Sequence, residues 1–207
     1  MALVKCKAES LDLTANYTFT GDVTLASGGA LNLISTQTAS SSSSISFTTG
    51  IDNTYDEYWF IFNNIHPSSD ANTLLFNGST DGGSNYNVTK TTTFFQAYHD
   101  ESDTATTLDY TSSTDLAQST AYQNLGYSLG NDNDQNASGI LKLYNPSSTT
   151  YVKHFISRIN MNEWTDFSID YNVAGYFNTT SAINGIDFKM VSGYIDAGTI
   201  QLFGVSK

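Results

Sequence analysis

Apolar and polar residues alternate along much of this chain, with the period of two that a half-buried β-strand produces. Near the C-terminus, Ile186, Phe188 and Met190 alternate with polar neighbours in "GIDFKMV". The stretch "GTIQLFGV", close to the end, repeats the pattern. The two stretches predict consecutive strands that hold the C-terminal end of the chain in a sheet.

Further strand-like stretches recur between clusters of turn-forming residues. "YDEYWFIFNNI" is apolar at successive positions over residues 58–62, which predicts a central strand buried on both faces. Asp81, Gly82 and Gly83 supply positive-φ positions for a hairpin turn, and Pro146 begins a second turn. The serine run "ASSSSSISF" is predicted to cover a hairpin turn and the polar face of a strand. About ten short strands separated by turns predict an all-β, antiparallel, jelly-roll-like β-sandwich.

One stretch has the composition of a short helix. In "STDLAQSTAYQNLG", Asp115 and Gln118 have the spacing of an N-terminal capping pair. Gly126 stands where a C-terminal cap would end the helix. We therefore expect at most one helix.

The first residues differ in pattern from the rest of the chain. Their apolar residues come in short bursts, and "LASGGA" resembles a linker. We predict an arm at residues 1–29, which attaches or oligomerises the protein, followed by a sandwich domain at residues 30–207. The alternative is a first hairpin of the main domain. The apolar residues of the predicted arm are Leu11, Leu13, Tyr17 and Phe19.

Composition narrows the possible partners. The formal net charge of −12 opposes binding to nucleic acid or to anionic lipid. The single cysteine, Cys6, excludes an internal disulfide and is compatible with synthesis in a reducing cytoplasm. No stretch has the length and apolar character of a membrane span or a signal peptide. We therefore predict a protein that uses neither nucleic acid nor membrane insertion.

Sequence motifs give no support for catalysis. The chain contains no zinc-protease, nucleophile-elbow or phosphate-loop motif. Nothing distinguishes Glu57 or Glu163 among the 20 acidic residues as part of a glycosidase pair. We predict a non-enzymatic protein without a cofactor, and a small glycan depolymerase is the distant alternative.

A loop rich in oxygen ligands is the one candidate metal site. Asp132, Asp134 and Asn136 follow the spacing that opens an EF-hand loop. The sixth position is Ala137 and the twelfth is Leu143, so an EF-hand is excluded. The default interpretation is a polar turn, and a looser calcium site is the alternative.

Tyrosine and phenylalanine, at 13 and 12 residues, are abundant for a chain of this length. Aromatic side chains flanked by polar groups form stacking platforms for sugars, although most aromatics in alternating strands belong to the core. The tyrosines that the pattern places in exposed loops are the candidates for glycan contact. They are Tyr86, Tyr98 and Tyr110.

Several stretches together resemble a known family. "IDNTYDEYWFIFNNIHPSSD", "STDGGSNYNVT", "LYNPSSTTYVKHF" and "VAGYFNTTSAINGIDFKMVSGYIDAGTIQLFGV" are similar to small virion proteins encoded by marine tailed bacteriophages. "SLDLTANYTFTGDVT" is similar to leaders of phage fibre and head-surface proteins. The resemblance implies a β-rich, trimeric component of the virion surface, and it transfers no catalytic residues.

These observations favour a virion structural protein made in the host cytoplasm and displayed on the particle. A fibre or tail-associated knob that contacts host glycans is the preferred role, since it explains polar loops that carry aromatics. A capsid decoration protein is the alternative. The expected partners are two further copies of the chain and other virion proteins, which the arm would contact.

Overall fold

Strands are the regular elements of the part of the chain that the structure describes. The computed structural model describes residues 29–206, so Leu11, Leu13, Tyr17 and Phe19 lie outside the described residues. The twelve strands are β1 (Leu31–Thr38), β2 (Ile45–Phe47), β3 (Glu57–Pro67), β4 (Asn72–Ser79), β5 (Lys90–Asp100), β6 (Thr106–Tyr110), β7 (Gln123–Leu129), β8 (Ala137–Tyr144), β9 (Lys153–Asn162), β10 (Phe167–Phe177), β11 (Gly185–Met190) and β12 (Ile195–Val205).

The strands form two antiparallel sheets that pack face to face. The large sheet has the order β1-β12-β3-β8-β9-β10-β5-β6, and the small sheet has the order β2-β11-β4-β7. If the hairpins β5–β6 and β9–β10 are set aside, the remaining strands have the orders β1-β12-β3-β8 and β2-β11-β4-β7, and the chain changes sheet at every step except from β4 to β7. This is jelly-roll connectivity. The predicted fold class is therefore confirmed. The two hairpins extend the large sheet beyond β8.

The C-terminal strand lies inside the large sheet, as its alternation predicts. β12 pairs with β1 on one side and with β3 on the other. In β3, Tyr58, Phe60 and Phe62 are buried, whereas Trp59 and Ile61 are half-buried. The prediction of a central strand is correct, but only one of its faces is fully covered.

Two predicted hairpin turns instead carry the chain from one sheet to the other. Residues 40–44, in the serine run, connect β1 of the large sheet to β2 of the small sheet. Gly82 and Gly83 have φ values of 71° and 89°, as the turn prediction requires. The strands on either side of them, β4 and β5, nevertheless belong to different sheets. The Pro146 turn does join a hairpin, because β8 pairs with β9.

The predicted helix at residues 113–126 is absent, and the stretch is extended or turned. Its backbone pairs with β5: Ser119 and Lys90 exchange backbone hydrogen bonds of 2.9 and 3.0 Å. Asp115 accepts a hydrogen bond from the Tyr110 hydroxyl instead of capping a helix. Gly126 lies within β7, where an added Cβ would meet the side chains of Met161 and Tyr171. Hydrogen bonds to the sheet therefore override a weak local helix propensity.

Phenylalanine rings join the two sheets at the centre of the sandwich. Phe188, on the small sheet, is completely buried. Its ring lies 5.3 Å from that of Phe60 and 5.1 Å from that of Phe62, both on the large sheet. Edge-to-face contacts of this kind add to the stabilisation from burial.

Two lysines are also buried. Lys90 Nζ donates to the carbonyls of Val88 and Ala121 at 3.1 and 2.5 Å, and Lys153 Nζ donates to that of Thr179 at 3.0 Å. Burial lowers the pKa of Lys90 to about 8, from an ordinary value of 10.5, because it disfavours the charged form. Burial also lowers the pKa of Lys153.

We expect the free energy of unfolding to rise as the pH increases from about 8 towards 10. In this window the unfolded chain keeps the Lys90 proton that the folded chain has released, so higher pH favours the folded state. Above about pH 10, ionisation of tyrosines in the unfolded chain opposes the gain. Urea unfolding across the window measures the slope. Lys90→Met should reduce this slope, whereas Val191→Met, at an exposed position outside the strands, should not. An unchanged slope in Lys90→Met would contradict this account.

Candidate functional site

An aromatic cleft opens where the large sheet extends beyond the small one. Its cavity of about 200 Å³ is lined by residues of β5, β7, β10 and the β9–β10 turn. The rings of Tyr98 and Phe167 meet edge to face at 5.4 Å and form one wall. Tyr127 closes the cavity from β7 and packs on Phe94 of the core. The cleft therefore depends on the β5–β6 and β9–β10 hairpins, which are additions to the basic jelly roll.

Two polar side chains share the cavity with these rings. Gln96 accepts a hydrogen bond from the Tyr127 hydroxyl at 2.9 Å and donates to Asp109 at 3.3 Å. Glu163 is 8% exposed, and its Oε2 accepts hydrogen bonds from the backbone and hydroxyl of Thr165. The cleft thus combines aromatic surface with an amide and a carboxylate held in fixed positions.

The structure does not bring the three predicted tyrosines together. Tyr98 lies within β5 and faces the interior side of the large sheet, while Tyr110 lies within β6 on the opposite side, 53% exposed. The prediction that these two stand in loops is wrong. Tyr86 does lie in a loop, between β4 and β5, and its carbonyl accepts a hydrogen bond from Asn77. Of the three, Tyr98 alone lines the aromatic cleft.

The oxygen-rich loop forms a turn ordered by a glutamine. Gln135 is buried, its side-chain carbonyl accepts a hydrogen bond from the Asp132 backbone, and its own backbone donates to the Asp132 carbonyl. Asp134 and Asn136 line a shallow cavity of about 400 Å³ beside His66. Within residues 29–206, no group of three or more His, Cys, Asp or Glu side chains is arranged to hold a metal ion.

The outer face of the large sheet, which points away from the small sheet, is a second candidate surface. Of the ten large apolar or aromatic side chains that are exposed in the described chain, six lie on this face. They are Leu31, Leu33, Phe95, Leu108, Tyr110 and Ile156. Exposed apolar groups that are contiguous, unlike scattered ones, mark interaction surfaces.

Most residues of the cleft were not identified from the sequence. Gln96, Tyr127 and Phe167 lie in alternating strands, where an aromatic or amide at an inward position is usually assigned to the core. Glu163 is one acid among 20, and its position in the cleft depends on the turn between β9 and β10. The only sequence signal was the abundance of tyrosine.

Comparisons with family models, curated proteins and solved structures find no match to this chain. Within the described residues there is no helix long and apolar enough to cross a membrane.

Proposed function

We propose that this protein is a non-enzymatic structural component of a bacteriophage virion, a fibre or tail-associated knob that contacts host-surface glycans. The observation that carries the proposal is the aromatic cleft around Tyr98. The jelly-roll domain is displayed on the particle as a homotrimer, and residues 1–29 attach it to other virion proteins. Synthesis takes place in the host cytoplasm, and neither nucleic acid, membrane insertion nor a cofactor is involved.

The chemistry of the cleft suits a sugar ring. The C–H groups of a pyranose pack on an aromatic face such as that of Tyr98, while its hydroxyls exchange hydrogen bonds with fixed polar groups. Gln96 and the carboxylate of Glu163 provide such groups at the same cavity. Because the chain carries a net charge of −12, the proposed ligand is a neutral or amino-bearing glycan instead of an acidic one.

The fold and the sequence resemblance support the class of protein. Jelly rolls occur both in viral coat proteins and in sugar-binding lectins. This support is an analogy, since one fold serves many functions. The resemblance of the sequence to phage virion proteins favours a viral protein. The aromatic cleft favours a sugar-binding role for that viral protein.

We expect Tyr98→Ala to weaken glycan binding by about tenfold, because the main stacking surface of the cleft is lost. A glycan array identifies the ligand, and calorimetric titration measures the change in affinity. Tyr98→Phe keeps the ring and should retain most of the binding. Tyr151→Ala removes an aromatic side chain that is 71% exposed and outside the cleft, and it should leave the affinity unchanged.

Two results would contradict the glycan role. Equal affinity in Tyr98→Ala and the unmodified protein would place binding elsewhere. Release of oligosaccharide from host polysaccharide would favour the depolymerase alternative, in which Glu163 would be the first carboxylate to test.

A second role, capsid decoration, is favoured by the apolar outer face of the large sheet. A decoration protein needs a broad surface that covers neighbouring capsid subunits. Cryo-electron microscopy of intact particles distinguishes the two positions. Density for the chain on the tail supports the fibre role, and density on the head supports decoration. Its absence from particles would overturn the virion proposal.

A further inference from the structure

We propose that the outer face of the large sheet is the surface through which copies of this chain contact one another. The inference depends on the self-association included in the proposed function and locates it in the fold. It is independent of the aromatic cleft, which lies on the interior side of the same sheet.

The apolar surface of the outer face is continuous across the strands. Cross-strand pairing aligns Leu33 with Phe203, Phe203 with Trp59, and Trp59 with Lys142. The same row continues from Lys142 to Ile156, which is 50% exposed. Side chains that are directly opposite on one face lie in contact distance of each other. The row is therefore a continuous band and not a set of isolated residues.

A second row runs beside the first, two residues further along each strand. It pairs Ile61 with Ile140, and Ile140 with Arg158. At the far end of the sheet, Phe95 pairs with Tyr110. Aromatic, aliphatic and arginine side chains in combination are typical of the core of a protein interface.

The charges at the centre of the outer face are balanced. On strands β3, β8, β9 and β10 the outer face carries two acids and two bases. Lys142 Nζ lies 4.0 Å from Glu57 Oε1 and 4.0 Å from the centre of the Trp59 ring. Arg158 Nη2 lies 2.9 Å from Asp170 Oδ2. Each acid on this part of the face is therefore paired with a base, and the four charges cancel.

This balance of charge makes a second copy of the chain the partner that the outer face fits. The chain has a net charge of −12, so two copies repel each other unless they meet on a face without unpaired acids. Many exposed acids of the described chain lie instead in turns, such as Asp52, Asp70, Asp81, Glu101, Asp103, Asp132, Asp134 and Asp166. The outer face is thus the surface on which copies of this acidic chain can approach closely.

The face is also large enough for a stable contact. Eight strands spaced about 4.8 Å apart make it roughly 34 Å wide, and a band about 25 Å long covers roughly 850 Å². A standard protein interface buries about 800 Å² on each partner, and in a closed trimer each copy buries its contact surface against two neighbours together.

The test is the mass of the full-length chain in solution, measured by light scattering on a sizing column. We expect the unmodified protein to have the mass of three 22.5 kDa chains. Leu108→Glu and Ile156→Glu place an unpaired acid on the outer face, and each should reduce the mass to that of one chain. Val191→Glu adds the same charge at a position that is 63% exposed outside the strands, and it should remain trimeric.

Circular dichroism and thermal melting show whether each variant is folded, so that a loss of mass can be assigned to dissociation and not to unfolding. Leu108 is 74% exposed on the edge strand β6, so its replacement leaves the core intact even if Ile156→Glu disturbs folding. A folded Leu108→Glu and a folded Ile156→Glu that both stay trimeric would overturn the proposal. Dissociation by Val191→Glu as well would show a general charge effect and would also overturn it. If the unmodified protein is monomeric, the proposed self-association is wrong. The virion location and the glycan binding are tested separately, by cryo-electron microscopy of particles and by the titration of Tyr98→Ala.

Discussion

Phe188→Ala is expected to lower the free energy of unfolding by about 3–5 kcal/mol, the range for large aromatic-to-alanine changes in protein cores. Phe188 is completely buried and contacts four other phenylalanine rings. Phe60 and Phe62 lie on the opposite sheet, so the deletion leaves a cavity between the sheets instead of at an edge. Strands paired on both sides, such as β11 and β3, have little freedom to collapse into that cavity.

Because the stability of a domain is typically about 5–15 kcal/mol, this loss is a large share of the total. Urea unfolding at one fixed protein concentration measures it, since association also changes apparent stability. Phe188→Leu should lower the free energy of unfolding by less, and it can be measured in place of Phe188→Ala if that variant does not fold. Tyr151→Ala, at an exposed turn, should change stability by no more than about 0.5 kcal/mol. A loss below about 1 kcal/mol in Phe188→Ala would show that the two sheets repack around the deletion.

The strands of this fold were predictable because one of their faces is buried and the other is not. Ile186, Phe188 and Met190 alternate with polar neighbours, and β11 has that alternation because the core lies on one side of it. The same reasoning placed β12 inside a sheet. The positions of these two strands follow from local periodicity alone, and that periodicity can be read from a single sequence.

The sheet to which each strand belongs was not predictable. The serine run and the Gly82–Gly83 turn both mark places where the chain reverses, and both were assigned to hairpins. A cluster of turn residues shows that the chain reverses direction, but it does not show which strand the next strand pairs with. That pairing joins residues that are far apart in sequence. Ile186, for example, pairs with Phe47 and Gly78.

The false helix has a related cause. Asp115 and Gln118 have a capping spacing, but Gln118 adopts a positive φ of 49° and its side-chain and backbone nitrogens donate to the Thr91 hydroxyl. The stretch packs along β5 and satisfies its hydrogen bonds there. Local propensity is a weak preference, and a neighbouring strand outweighs it.

The candidate site was only partly predictable. Tyr98 was identified as a glycan contact because tyrosine is abundant and flanked by polar residues, yet its assignment to a loop was wrong. The other residues of the cleft come from β7, β10 and the β9–β10 turn, and they meet only because two hairpins extend the large sheet. The glycan role of Tyr98 stays a prediction until its binding is measured.

Deletion of residues 1–29 is expected to abolish attachment to the particle while the sandwich stays folded. β1 begins at Leu31 and pairs with β12 along its length, and β12 pairs in turn with β3. At the deletion point, Gly29 contributes only a carbonyl that accepts hydrogen bonds from Asn32 and Ser206, both exposed. Loss of two exposed hydrogen bonds should cost about 1–2 kcal/mol at most. Cooperative urea unfolding close to that of the full chain is therefore the expected result.

The loss of attachment follows from the apolar residues of the predicted arm. Burying Leu11, Leu13, Tyr17 and Phe19 against partner chains would contribute roughly 1.5–3 kcal/mol for each side chain, so several together provide a stable anchor. Particles assembled in a host that supplies the truncated chain should lack it, as detected by mass spectrometry of purified virions. The full-length chain with these four residues replaced by serine should show the same loss, which separates their side chains from the length of the segment. If the truncated chain unfolds, residues 1–29 contribute a core element and the domain boundary is wrong. If it is incorporated normally, attachment takes place through the sandwich, and the role assigned to residues 1–29 is wrong.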